Sequence, residues 1–225
     1  MTRLVQSLRR LARPAWPVVL RRRTPVSAYW GFDRGTPVDR YYIERFLRNH
    51  SADIHGRVLE VQDRLYTTRF GTRVEHSDVL DIDAGNTRAT ILADLAAAGA
   101  ISDATYDCIV LTQTLQLIYD VQAAIAHCHR ILRRNGVLLA TVPSASRVVG
   151  NPEMPLDYWR FTTSSCRRLF ADRFGETQVA VQSFGSLSTV CAFLYGLAHE
   201  ELPRQRLDFH DPRFPLIVGV RAVKA

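Results

Sequence analysis

Apolar positions recur along this chain with two periods, and their alternation lays out strands and helices in turn. Short continuous apolar stretches read as buried parallel strands at about 57–61, 73–78, 89–93, 106–113 ("YDCIVLTQ") and 136–143 ("GVLLATVP"), with later strands near 178–184 and 215–223. Helical spacing fills the gaps. One helix starts near Pro37-Val38-Asp39. Another covers "DVQAAIAHCHRILRRNG", with Asp120 at its start, arginines in its last turn and Asn135-Gly136 as its stop. Two more lie near 163–172 and 187–201, and Gln62 to Thr72 leaves room for about two helical turns before the second strand. This alternation predicts an α/β fold with a parallel, doubly wound sheet, whose ligands bind at the carboxyl ends of the central strands.

Length and charge narrow the picture. With 225 residues, 47% of them hydrophobic, the chain suits one well-buried α/β domain. The net charge of +7, from 29 basic and 22 acidic residues, first suggests a nucleic-acid partner. Its distribution argues against one. Residues 1–23 hold seven arginines and no acid, which leaves 22 basic against 22 acidic residues in the remainder. A neutral body makes poor footing for a phosphate backbone. The tail carries Leu4, Leu8 and Leu11 on one helical face until Pro14 stops the pattern. We therefore expect a basic tail over residues 1–24 and a domain over 25–225, with 25–50 forming a lid and first helix. Cys108, Cys128, Cys166 and Cys191 show no paired spacing, as expected of reduced thiols in a cytoplasmic protein. No apolar run has the length of a membrane span, and "AWPVVL" is too short for a signal-peptide core.

The strand ends carry the chemistry. Glu60 and Asp63 follow strand one, Asp78 is read as ending strand two, Asp94-Leu95 follow strand three, and Thr112-Gln113 end strand four. Carboxylates after successive parallel strands suit a nucleoside, accepting from ribose hydroxyls and from an exocyclic amine. The loop after strand one, Gln62-Asp63-Arg64-Leu65-Tyr66, has no glycine until Gly71. A pyrophosphate needs close backbone approach, which such a loop denies, and a carboxylate beside it would repel. A ligand bearing a sulfonium and an ammonium would welcome that carboxylate, which points to S-adenosylmethionine rather than a dinucleotide.

The segments "GRVLEVQDRLYTTRFG", "SDVL", "ILADL", "YDCIVLTQTLQLIYD", "HRILRRNGVLLATVPS" and "DYWRFT", in this order, resemble class I S-adenosylmethionine-dependent methyltransferases of the bacterial type 11 branch. The resemblance spans roughly residues 27–223. It implies a Rossmann-like seven-stranded sheet of order 3-2-1-4-5-7-6 with strand seven antiparallel. The family's first motif is E/D-x-G-x-G-x-G, and here Gln62 stands at its first glycine. By this resemblance Glu60, Gln62 and Asp63 lie at the methionine end of the cofactor and Asp78 at the ribose. Asp94-Leu95 meet the adenine edge, and Thr112-Gln113 form the floor beneath the sulfonium. Members of this branch often accompany glycosyltransferase or specialised-metabolite genes, so a hydroxyl of a sugar or natural product is the expected acceptor in a biosynthetic role.

Methyl transfer needs alignment and exclusion of water more than a base. His127 and His129, two apart on a helix, cannot form a metal pair. His199 and His210 are the base candidates, and no metal site is expected. Tyr158 and Arg160 are expected to face the acceptor from a loop after strand five, with Trp159 and Phe161 pinning that loop, and Arg34 or Tyr41 contributing from the lid. Two other readings compete. A nucleic-acid methyltransferase would need a basic body, and a non-catalytic, methyltransferase-like binding protein would fail to take up cofactor.

Overall fold

The computed structural model describes residues 22–149 and 157–225. The basic tail, with its Leu4–Leu8–Leu11 face, lies outside the described residues except for positions 22–24. The described elements run in the order α1 (Val38–Asn49), β1 (Gly56–Val61), α2 (Leu65–Phe70), β2 (Val74–Asp81), β3 (Ile91–Leu92), β4 (Tyr106–Thr112) and α3 (Val121–Ile131). They continue with β5 (Leu132–Pro143), α4 (Thr163–Phe174), β6 (Val179–Phe184), α5 (Leu187–Leu194), α6 (Arg204–Asp208) and β7 (Ile217–Val223).

The strands form one seven-stranded sheet of order β3-β2-β1-β4-β5-β7-β6. β1 pairs in parallel with β2 and β4, β2 with β3, and β4 with β5. β7 runs antiparallel to β5. Lys224 exchanges bonds with Asn135 and Gly136 (2.7 and 2.9 Å), while Ala145 N–H donates to Leu216 O (3.2 Å), so numbers rise on one strand as they fall on the other. The expected Rossmann-like order and the antiparallel seventh strand are both present.

Four boundaries differ from the sequence reading. β2 continues three residues past Asp78, because Val79 and Leu80 are buried and pair with β1. The polar pair Ser77-Asp78 looked like a strand end but sits inside the strand. β3 is only two residues long. α3 stops at Ile131 rather than at Asn135-Gly136: Leu132 turns extended to pair with Tyr106, and Arg133 reaches Asp107 at 2.8 Å. Asn135, at φ 65°, instead turns the backbone inside β5. α5 ends at Leu194 rather than near 201.

Two compact units divide the described chain. One comprises residues 44–144, 148–149, 157–182 and 218–225. Its core interleaves β1, β4, β5 and β7 with α3 and α4, through residues such as Leu59, Ile109, Leu138, Ile125 and Phe170, all fully buried. Asp120 caps α3 by accepting from Ala123 N–H (2.9 Å), and Thr162 and Ser165 form a capping box on α4. The second unit comprises residues 22–43, 145–147 and 183–217. There Tyr42, 1% exposed, donates to Leu207 O (2.9 Å) and tilts against Phe184. Gly196 permits a close approach in this unit, since a Cβ there would stand 2.5 Å from Ser27 O. Cys108, Cys128 and Cys166 are buried and Cys191 half-buried, and none is in a disulfide. Among the described residues no helix is long and apolar enough to cross a membrane.

Candidate active site

The sheet changes direction between β1 and β4: β2 and β3 add on one side, β5, β7 and β6 on the other. The crevice outside the strand ends at such a point is where open α/β sheets bind ligands. Gln62 directly follows β1 and Gln113 directly follows β4, two residues beyond or more from the paired Glu60 and Val110. Both have left-handed backbones, at φ 73° and 49°. A non-glycine residue resists that conformation by roughly 1–2 kcal/mol. Two such residues side by side at the switch point are held there by their surroundings. Gln62 N–H donates to Leu80 O (2.9 Å), and its carbonyl accepts from Asn86 Nδ2 (2.7 Å). Gln113 N–H donates to Thr141 O (2.8 Å), while its own Nε2 is buried without a hydrogen-bond partner among the described residues.

Glu60, expected at the methionine end of a cofactor, turns its carboxylate onto its own loop. It is 2% exposed and accepts from the N–H groups of Tyr66 (3.0 Å) and Thr67 (2.7 Å) at the start of α2. Burial pushes its carboxyl up, against the pull of those amides. Its work is to hold the loop. Asp63 likewise accepts from Leu65 N–H (2.9 Å), and Arg88 approaches it at 3.8 Å.

Asp78 is the clearest correction. It lies within β2 opposite Leu59, 6% exposed, and every side of its carboxylate is engaged. Arg57 donates twice (2.9 and 3.2 Å), Tyr106 Oη once (3.0 Å) and Thr90 Oγ1 once (3.1 Å), with His76 at 3.1 Å. Burial raises this carboxyl, but the bonds from Arg57, His76, Tyr106 and Thr90 outweigh it and hold the group below its ordinary value. The residue that ends β2 is Asp81. Asp81 accepts from Asp83 N–H (3.0 Å) and from Asn86 Nδ2 (2.6 Å). Burial opposes ionisation there, yet these bonds and the Arg88 charge keep the carboxyl below the usual range. Asn86 thus ties Asp81 to the carbonyl of Gln62, linking the ends of β1 and β2. The sequence reading missed Asp81 because "SDVLDID" offers a carboxylate three residues too early; the burial of Val79-Leu80 is the signal that could have found it.

Asp94 is exposed and caps the 3₁₀ turn Leu95–Ala97 through Ala96 N–H (2.8 Å), whereas the Leu95 side chain lies in the core. Thr112 ends β4 opposite Thr141.

Residues 55–140 match the family model described as methyltransferase domain. No protein with a curated description matches the chain. Among solved structures, a S-adenosylmethionine-dependent methyltransferase from Archaeoglobus fulgidus is similar at TM-score 0.54 and 13% identity, over 88% of this chain and 100% of that one. One from Mesorhizobium loti is similar at 0.52 and 13%, over 83% and 98%. A Haloferax volcanii protein, described as a methyltransferase in complex with the Trm112 methyltransferase activator, is similar at 0.53 and 13%, over 83% and 94%. At these identities the structural likeness establishes the fold alone, and the methyltransferase-domain match is confined to residues 55–140. The Archaeoglobus fulgidus and Mesorhizobium loti proteins are the ones described as S-adenosylmethionine-dependent.

Several residues expected to face an acceptor make contacts within the chain. Arg160 forms a bidentate pair with Asp157, whose carboxylate also accepts from Val149 N–H (2.7 Å). The pair closes the loop and occupies much of the guanidinium. Tyr158 is 43% exposed and meets Tyr119 edge-on at 5.4 Å. Phe161 is buried, and Trp159 anchors its indole N–H on Ile118 O (3.0 Å) while staying 40% exposed. In the other unit Arg34, 1% exposed, grips both oxygens of Glu201, so it pins its own segment to the turn at Glu201. Tyr41 Oη donates to Asp208 Oδ1 (2.8 Å) and its ring tilts against His199. His210 Nε2 lies 3.0 Å from Ser183 Oγ.

Proposed function

We propose that this chain is a methyltransferase that moves the methyl group of S-adenosylmethionine to a hydroxyl of a small molecule, a sugar or natural product being the first choice. The observation that supports it most is the pair of left-handed glutamines at the β1/β4 switch point, of which Gln62 is joined by Asn86 to Asp81. When bound, the cofactor supplies an activated methyl carbon on a positive sulfur. The chain's residues have the complementary tasks. Asp81 keeps lone pairs with which to accept from a vicinal diol, taking the role first assigned to Asp78. The backbone at Gln62 and Gln113 and the carboxylate of Asp63 suit an amino-acid moiety carrying an ammonium. In this reading Asp94 accepts from an exocyclic amine, with the Leu95 backbone at the adenine edge and Thr112 on the floor beneath the sulfonium. The small-molecule reading is supported by the neutral charge of residues 24–225, with 22 basic and 22 acidic residues.

Calorimetry with S-adenosylhomocysteine tests the cofactor assignment. Wild type should bind, and Asp81→Ala, losing charge-assisted bonds of ~1.5–3 kcal/mol, should bind about ten- to a hundredfold more weakly. A wild-type chain that takes up neither this product nor S-adenosylmethionine would instead be a non-catalytic binding protein. Unchanged affinity in Asp81→Ala would remove that residue from the site.

A further inference from the structure

The carboxyl ends of β4 and β5 hold buried polar atoms that have no hydrogen-bond partner among the described residues. Thr141, in β5 opposite Thr112, is fully buried, and its Oγ1 makes no hydrogen bond within the protein. Gln116, 7% exposed, donates from Nε2 to Gln113 O (2.7 Å), which fixes its amide orientation, yet its Oε1 is buried with no donor. Gln113 Nε2 is buried with no acceptor. The three residues are contiguous: Gln113 N–H bonds to Thr141 O, and Gln113 O bonds to the Gln116 side chain. The turn that carries Gln116 is tied down, because its carbonyl accepts from Tyr158 N–H (2.8 Å) and Trp159 N–H (3.3 Å). Buried groups left in this state carry their full desolvation penalty, which a rigid fold retains where a ligand completes them.

The unmade bonds describe the missing group. Gln116 Oε1 needs a donor, Gln113 Nε2 needs an acceptor, and Thr141 can serve as either. None of the three is charged, and an ionised group buried among neutral amides without a countercharge would be heavily penalised. A hydroxyl donates and accepts at once and carries no charge. We propose that Gln116 and Thr141, together with Gln113, seat a neutral hydroxyl of the methyl acceptor. This assignment rests on the methyl-transfer reading above, and it selects neutral polyols or phenols over acceptors that present a carboxylate or an ammonium at this point.

The test uses Thr141→Val and Gln116→Leu in the full chain, with three readouts. Thr141→Val keeps the side-chain shape and removes an unpaired hydroxyl, so its melting temperature should rise. Gln116→Leu also loses the bond to Gln113 O, so the valine variant decides the stability arm. Affinity for S-adenosylhomocysteine should stay within about twofold of wild type in both variants. Ligand-observed NMR, with S-adenosylhomocysteine saturating, then compares methyl α-glucoside, glucuronate and glucosamine, which share a ring and differ in charge. Wild type should bind the neutral glucoside about tenfold or more tightly than the charged pair, and either substitution should lower that affinity by about tenfold or more. The proposal is overturned if Thr141→Val melts lower, if product affinity falls with the sugar signal (the atoms then serve the cofactor), or if the charged sugars bind as well as the neutral one. It is overturned equally if wild type gives no saturable glucoside signal. Failure of wild type to bind S-adenosylhomocysteine would strike the methyltransfer reading itself and is read separately.

Discussion

Replacing Asp78 with alanine separates a structural carboxylate from a ligand-binding one. The substitution removes the acceptor for Arg57, Tyr106 and Thr90 inside β2. Arg57 contributes little, since its side chain is 41% exposed and water screens the pair to about 1 kcal/mol or less. Tyr106 matters more. It is 1% exposed, and its hydroxyl would lose the carboxylate that it donates to, at a cost of ~1–3 kcal/mol. Thr90 keeps its bonds to Val79, so its loss is limited to about 1 kcal/mol. The sum is roughly 1–5 kcal/mol, or a drop of about 2–20 °C in melting temperature for a chain of this size. Affinity for S-adenosylhomocysteine, measured below the transition, should change less than about threefold. The pH dependence gives an independent check. Asp78 is held below its ordinary value in the folded chain, so its stabilisation is present above the unfolded carboxyl pKa of about 4 and is lost as pH falls through the folded value. The gap between wild type and Asp78→Ala in urea should therefore narrow as pH drops below about 4. A melting shift under about 2 °C together with a large affinity loss would refute the placement of Asp78 in the structural core and return it to the ribose.

Other substitutions probe the loop, the lid segment and the tail. Gln62→Gly relieves a left-handed side chain at φ 73°. The relief of ~1–2 kcal/mol slightly exceeds the added chain entropy of ~0.5–1 kcal/mol, so the melting temperature should hold or rise by a few degrees, with product affinity retained; a clear fall would show that the side chain itself is needed. Arg34→Ala leaves Glu201, only 8% exposed, without its partner and should cost about 3–5 kcal/mol by urea titration, and Arg34→Lys should not restore it because the pairing is bidentate. Deleting residues 1–23 removes seven arginines and the whole charge excess, so salt-sensitive retention on DNA should vanish while product affinity stays. Retention that survives the deletion would revive a nucleic-acid acceptor.

The sheet was legible because its central strands are buried on both faces and so read as continuous apolar runs: Val58-Leu59 in β1 and Cys108 to Leu111 in β4 are nearly fully buried. The site was less legible, for two physical reasons. A carboxylate's type does not reveal its partners. Glu60 looked like a ligand contact and is instead the acceptor for two amides of α2, while Arg160 looked like an anion grip and is half of a pair with Asp157. Both pairings join residues only three to seven positions apart, yet depend on backbone turns that periodicity does not encode. The second reason is registry. Asp78 and Asp81 differ by three positions in one strand, and only the pairing of Val79 and Leu80 with β1 decides which of them reaches the strand end.

The glycine-poor loop after β1 follows from the same geometry. A family glycine at the position of Gln62 would supply positive φ and room for a close approach. Here the positive φ is kept and the glycine is not. Three sets of bonds make that tolerable: Glu60 gathers the N–H groups of Tyr66 and Thr67, Leu80 O fixes Gln62 N–H, and Asn86 spans from the Gln62 carbonyl to Asp81. Together they can offset a backbone cost of ~1–2 kcal/mol at one residue. A loop that had lost its ligand would gain by relaxing the left-handed backbone at Gln62. Instead the strain is repeated at Gln113, the next strand end across the switch point, and both glutamines are braced by neighbours on adjoining strands. Strain that is repeated and braced at a ligand-binding crevice fits a cofactor site built on a different residue more closely than the remnant of one.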